Sequence, residues 1–488
     1  MKVHLVIGAL ALSGCAVGPD FHTPATPDAQ TYTRDALPTH TVASNAPAGS
    51  AQTFTAASRA LPMWWLQFQS DTLNRLVDEA LRQSPTLAQA QAKLIEAREN
   101  YTALSGATQL PRVDATLSGA RQKVDPAAFG IPNVQNPGPF SLFNASVSVS
   151  YAFDIFGAHR RELEASMAQV DYEAYELDAA RLSIAGNVVS TAVRRASLQQ
   201  QIALTQLLTD AQAHRLSIME ARLVAGGVAQ LDVRSQRTLL AQTRASLPPL
   251  ATQLAAADHQ LATLIGTTPS KAEFDELTFD ALHLPLDIPL TLPSTLARAR
   301  PDIRASEALL NQASANIGVA TANLYPQFAL SAGIGSERTR IRDIVNGLNI
   351  WNIGLNLTQP IFHGGELHAK KRAAQAAYEA ALASYRQTVL EALQQVADSL
   401  TALQNDAQEL QARAEAAEQA QASLSVARRQ YAVGGISQFS LLDAERQVLQ
   451  TAIDQTRAEA NRFTDTAALF QALGGAVTDA ALATTGLQ

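Results

Sequence analysis

Four stretches of the chain alternate between apolar and small polar residues with a period of two. Near 141–154, Phe143, Ala145, Val147, Val149, Tyr151 and Phe153 interleave with Asn144, Ser146, Ser148, Ser150 and Ala152. Near 350–361, Trp351, Ile353, Leu355 and Leu357 interleave with Asn352, Gly354, Asn356 and Thr358. Near 326–337, Phe328, Leu330, Ala332 and Ile334 interleave with Gln327, Ala329, Ser331 and Gly333, and a fourth stretch lies near 111–122. This period predicts strands, each with one apolar and one polar face. About ten residues is also the length a tilted strand needs to cross a hydrocarbon core. A soluble sheet with one wet face would alternate in the same way, so the pattern alone leaves both readings open. The aromatic residues near strand ends (Tyr151, Phe153, Trp351, Phe362) favour the membrane.

Elsewhere the residues suit helices. Ile303 to Asn323 is rich in Ala and free of Pro, and hands over to a strand at Tyr325-Pro326. His159 to Leu223 has no Pro and a single Gly, Gly186, while Glu366 to Tyr431 has neither. At 1.5 Å per residue, about 65 residues make a helix roughly 100 Å long. Leu163, Met167, Val170, Ala174, Leu177, Ile184, Val188 and Thr191 follow the 4-3 spacing of knobs-into-holes packing, interrupted at Arg181. So narrow a stripe calls for another long helix as its partner, in a bundle or tube.

The same landmarks occur twice, in the same order. Ser84-Pro85 and Arg300-Pro301 each open a helix with proline in its first turn, and Leu110-Pro111 and Tyr325-Pro326 each close one. Phe156 and Phe362 stand 206 residues apart, as do Tyr172 and Tyr378; Gly226-Gly227 and Gly434-Gly435 stand 208 apart. The chain is therefore a duplication. Each half reads helix, strand, loop, strand, long helix, turn, helix. The repeats occupy residues 63–275 and 276–474, followed by a tail at 475–488. Each double glycine can supply the positive φ needed where one helix reverses into the next.

The N-terminus stands apart from this plan. Lys2 and His4 precede an apolar run too short to span a bilayer, which ends Leu12-Ser13-Gly14-Cys15. Small residues before a cysteine give a lipoprotein peptidase close access. Residues 1–14 are expected to be removed, and Cys15 to carry a covalent lipid, with no other cofactor. Cys15 is the one cysteine of the chain, which excludes an intramolecular disulfide. Residues 15–62, rich in Pro, Ala, Thr and Ser, read as an extended tether or an arm around a folded body. Trp64-Trp65, with Phe68, Leu73, Leu76, Val77 and Leu81 at helical spacing, read as packing anchors where that body begins.

Composition adds only exclusions. A net charge of −7 with 17% charged residues offers no basic patch for nucleic acid. No phosphate-binding, dinucleotide, zinc-protease or nucleophile-elbow motif is present, so an enzyme is not expected. His363 and His368 are poorly spaced as metal ligands, and Glu162, Glu164, Glu173 and Glu176 read as the wet face of a long helix.

The run Ala299-Arg300-Pro301-Asp302-Ile303-Arg304, the segment from Cys15 to Pro24 (CAVGPDFHTP) and the phrase from Trp64 to Leu81 (WWLQFQSDTLNRLVDEAL) together resemble the TolC-like outer membrane factors. The resemblance is to the lipoprotein branch serving RND-type multidrug efflux. It implies an α+β membrane protein, a homotrimer whose four strands per chain close a 12-stranded barrel that continues into a long periplasmic helical barrel. It further implies a lipid-anchored exit duct for small molecules in the outer membrane of a Gram-negative bacterium, working with a periplasmic adaptor and an inner membrane transporter. From the residues alone, an open sheet edge in lipid costs several kcal/mol per unpaired group, so if these strands cross the membrane, four per chain require oligomerisation into a barrel whose strand number is a multiple of four. The segment from Tyr431 to Ala444 resembles the family's tip, where acids ring a constriction. Asp443 matches one acid of that motif, while Ser440 stands where some members carry another. Asp232, 208 residues before Ser440, is the second candidate gate residue, though a carboxylate there also suits the first turn of a helix. Arg222, Arg428, Arg429 and Tyr431 are candidate partners of these acids. A type I secretion duct for proteins and a structural coiled-coil envelope lipoprotein are the alternatives. The strands and the duplication argue against the second.

Overall fold

The computed structural model describes residues 17–125 and 138–475, apart from 27, 37 and 59. Cys15, the signal segment and the tail from 476 lie outside the described residues. Along the chain run β1 (Thr53–Ala57), α1 (Asp71–Gln83), α2 (Pro85–Gln109), β2 (Arg112–Gln122), β3 (Phe140–Phe153), α3 (Ala158–Val224) and α4 (Gln230–Leu264). There follow β4 (Asp287–Thr291), α5 (Pro293–Ala299), α6 (Pro301–Ala322), β5 (Gln327–Arg338), β6 (Ile350–Thr358), α7 (Glu366–Ala432) and α8 (Gln438–Ala472). The described residues fall into two compact units, one within the bounds Met1–Thr23, Lys93–Glu173 and Ser306–Tyr385, the other within Pro24–Ala92, Ala174–Ala305 and Arg386–Gln488.

The first unit holds a four-stranded sheet in the order β2-β3-β5-β6, antiparallel throughout. All four strands fall where the alternation places them. The fourth stops at Thr358 rather than near 361, because Pro360 has no N–H to extend a ladder. Ile361 and Phe362 beyond it are almost fully exposed.

The helices α3 and α7 contain 67 residues each, a rise of roughly 100 Å. Along α3 the buried seam includes Leu163, Val170, Leu177, Ile184, Val188 and Thr191. Met167 departs from the expected seam. It is exposed, and Ala168 is buried in its place, so a small residue lines the close approach. Arg181 is neutralised one turn away by Asp178, at 3.3 Å.

In the second unit the extended N-terminal segment is an arm with defined partners. β1 lies parallel to β4, a short pair that the sequence pattern does not reveal. The buried Gln52 donates to the Pro285 carbonyl and the Thr466 hydroxyl, each at 3.0 Å. Trp64, Trp65 and Phe68 are fully buried, as expected of packing anchors. Trp64 stacks on Phe470 at 5.7 Å between ring centroids, and Phe68 meets Phe463 at 6.2 Å. The continuous helix expected from Trp64 is instead broken. A short 3-10 turn, Trp64–Phe68, ends at Gln69 with φ of 50°, and α1 restarts with the Ser70 hydroxyl accepting from the Leu73 N–H.

Candidate functional site

The strand register sorts side chains into two chemically distinct faces. Phe153, Phe328 and Leu357 align across the sheet, followed by Tyr151, Leu330 and Leu355. The next rows are Val113, Val149, Ala332 and Ile353, then Ala115, Val147, Ile334 and Trp351, then Leu117, Ala145 and Ser336. On the opposite face Arg112, Ser150, Ser331 and Gly354 align, and Asp114, Ser148, Gly333 and Asn352. This sorting weakens beyond the apolar rows, where Phe140, Leu142 and Ile350 have the parity of the polar face. Leu117 is 72% exposed and Trp351 77%. A contiguous apolar sheet face of this size requires a cover. Among the described residues, β2 and β6 each pair on one side only. No described helix is long and apolar enough to cross a membrane.

Residues 17–20 are tied beside the end of β3. The Val17 N–H donates to the Phe156 carbonyl at 3.1 Å, and the Arg161 guanidinium holds the Asp20 carboxylate at 2.7 Å. That bond and charge keep the Asp20 carboxyl below the usual carboxylate range. Gly18, at φ 102°, lies directly on Gly318, where a Cβ would stand 2.5 Å from the Gly318 Cα. Cys15 itself is outside the described residues, two positions before this docked segment.

The helix turns form at the double glycines. Gly226 and Gly434 take φ of 72° and 75°. The Gly227 N–H reaches the Arg222 carbonyl and the Gly435 N–H the Gln430 carbonyl, each at 2.8 Å, which satisfies the last carbonyls of α3 and α7. The two turns are then capped in different ways. Before α8, the Ser437 hydroxyl accepts from the Ser440 N–H at 3.2 Å. Before α4, the equivalent position is Ala229, which has no acceptor. Asp232, in the position of Ser440, instead accepts from the Ala229 N–H at 3.3 Å.

Asp443, in the second turn of α8, is half-exposed and accepts from Arg215 at 3.3 Å and Arg446 at 3.2 Å. Arg215, which the sequence does not single out, is the cation that reaches it from α3. Arg222 lies over the Phe439 ring, 4.7 Å from its centroid, and Arg215 approaches the same ring at 5.7 Å. Arg428 pairs with Glu445 at 3.5 Å rather than with Asp443. Sequence reasoning missed Arg215 because its contact crosses 228 residues of chain. Among the described residues, no cluster of three metal-ligating side chains occurs.

A family model described as outer membrane efflux protein matches residues 76–267 and again 292–475, one match per repeat. The chain is 32% identical over 437 residues to the pyoverdine export outer membrane protein OpmQ of Pseudomonas putida, covering 88% of this chain and 92% of that one. It is 28% identical over 479 residues to the toluene efflux pump outer membrane protein TtgI of Pseudomonas putida, covering 96% of each. Its fold matches the outer-membrane channel OprN with a TM-score of 0.80 at 29% identity, over 95% of this chain and all of that one. It matches the open state of the Neisseria gonorrhoeae outer membrane channel MtrE with a TM-score of 0.81 at 25% identity, over 95% and 99%.

Proposed function

The chain belongs to the outer membrane efflux protein family, and from that premise we propose that three copies join their sheets into one twelve-stranded barrel, the exit duct of a tripartite efflux pump. The observation that carries this reading is the register. It gives one sheet with an apolar face for lipid, a polar face for a lumen, and two edges that need partners in a membrane. The helices continue the duct through the periplasm toward an adaptor and an inner membrane transporter, which supplies the energy. The family role is export across the outer membrane of Gram-negative bacteria. The named relatives export pyoverdine in one case and toluene in another. The cargo is therefore of small-molecule class, selected by the inner membrane partner.

The lipid belongs on Cys15, two positions before the docked Val17–Asp20 segment in the sequence. Cys15→Ala should abolish incorporation of labelled palmitate; retained label would remove the anchor from the account.

The narrow end of the duct lies at the helix turns, and Asp443 is the leading gate residue. Its ion pair with Arg215 holds α8 against α3 at the turn, while Arg446, one turn on in α8, pairs with the same carboxylate from within the helix. Asp232 is the weaker candidate, since its carboxylate already caps α4. Reconstituted in a planar bilayer, the complex should conduct in discrete steps, with Asp443→Ala raising resting conductance while assembly is unchanged. The absence of conductance would overturn the duct. Wild-type conductance in Asp443→Ala would remove the gate role alone.

A further inference from the structure

We propose that Arg121 and Arg338 form a contact on the outward face of the barrel for the phosphate groups of an outer-leaflet glycolipid. The inference rests on the barrel reading above. Arg121 shares its parity with Val113, Ala115 and Leu117, and Arg338 with Leu330, Ala332 and Ile334. Both arginines therefore belong to the apolar face. They stand at its far end, away from the helices: Phe143 pairs with Arg338 one row beyond Leu117 and Ala145, and Ser141 pairs with Arg121 one row further.

The height fits a headgroup. At about 3.4 Å per residue, the apolar rows from Phe153 to Ala145 climb roughly 27 Å along the strand, or about 20 Å along the membrane normal at a 40° tilt. The next two rows therefore meet the outer headgroup layer. Across the sheet the two arginine positions are two strands, roughly 10 Å, apart. The Glu337 carboxylate has the opposite parity and accepts from the Asn144 amide at 3.4 Å on the polar side. Lys123 and Asp125 follow the strand end at Gln122.

The geometry of Arg338 suits an external anion. Its Nε is enclosed, and one terminal nitrogen donates to the Gly347 carbonyl at 3.4 Å, so an external anion would be met by the terminal nitrogens of this half-buried side chain. Arg121 is exposed and makes no ion pair among the described residues. The loop from β5 to β6 is ordered at its neck, where the Asn349 side chain bridges the Glu337 N–H and carbonyl at 2.7 and 3.1 Å. That loop exposes Ile341, Val345 and Leu348 beside Arg340 and Arg342. An amphiphilic cationic rim above an apolar band matches a lipid whose phosphates sit directly over its acyl chains. A rim serving only to tie the loop would not distinguish phosphorylated from dephosphorylated lipid.

The test is native mass spectrometry of the purified full-length complex in detergent, titrated with diphosphoryl lipid A and with the same lipid dephosphorylated. The wild type should prefer the phosphorylated form by roughly tenfold or more. R121Q/R338Q should lose that preference, and R121K/R338K should keep most of it. Equal binding of the two lipids by the wild type would overturn the proposal without any variant. So would an unchanged preference in R121Q/R338Q. A complex that conducts but shows no phosphate preference removes this contact alone. One that does not conduct removes the duct itself.

Discussion

Arg462 carries a charge into the core of its unit and gives it to backbone. Fully buried, it donates to the Ala48 carbonyl at 2.8 Å, the Ser50 carbonyl at 2.8 Å and the Thr41 hydroxyl at 3.0 Å. Hydrogen bonds from a charged donor contribute about 1.5–3 kcal/mol each, so this one side chain fastens the arm to α8. Burial lowers its pKa to about 10, which leaves it charged at neutral pH. Nearby, burial and then the Asp465 carboxyl push Asp406 up to about 8, with Glu409 adding to the rise and Arg462 opposing it. The folded chain thus keeps a proton on Asp406 that the unfolded chain releases at the ordinary carboxylate pKa. Stability from this group is complete below about pH 4 and is lost as the pH rises through about 8. Asp465→Asn removes the like charge and should flatten the fall of the thermal midpoint between pH 5 and pH 8. Parallel melting curves for variant and wild type would show that the pair is not the cause.

At the scale of elements, periodicity made the four long strands and the two long helices legible. Their side chains repeat over ten or more residues, and no local contact competes with the pattern. The face in contact with lipid was not legible, because alternation within one strand does not say which neighbours it aligns with. The register supplies that alignment and sorts an apolar face from a polar one. Val147 falls in the apolar rows and Ser148 in the polar ones. In a background with Cys15 replaced, Val147→Cys should react with a lipid-confined probe several-fold faster than Ser148→Cys. Equal rates would count against the assigned faces. What the sequence hid was short or distant. The β1–β4 pair spans five residues in each strand and joins segments more than 200 residues apart, so no window reveals it. The exchange of Ser437 for Ala229 between the two turns is visible in the sequence, but its consequence is not. Only the geometry shows Asp232 engaged as a cap while Asp443 is held by Arg215.

At the scale of the whole molecule, the duplication explains why one chain can supply two equivalent strand pairs and two equivalent helix turns. The family model matches each repeat in turn, and the relatives and solved channels match most of the chain. Among the described residues a single chain nevertheless leaves β2 and β6 each with an unpaired edge. In lipid such edges cost several kcal/mol for every unpaired group, and closure on identical copies removes them all. The number of chains is the point on which lumen, lipid face and gate all depend. Mass measurement of the complex in detergent tests it directly: the account predicts three chains per particle, and a stable monomer or dimer would contradict it.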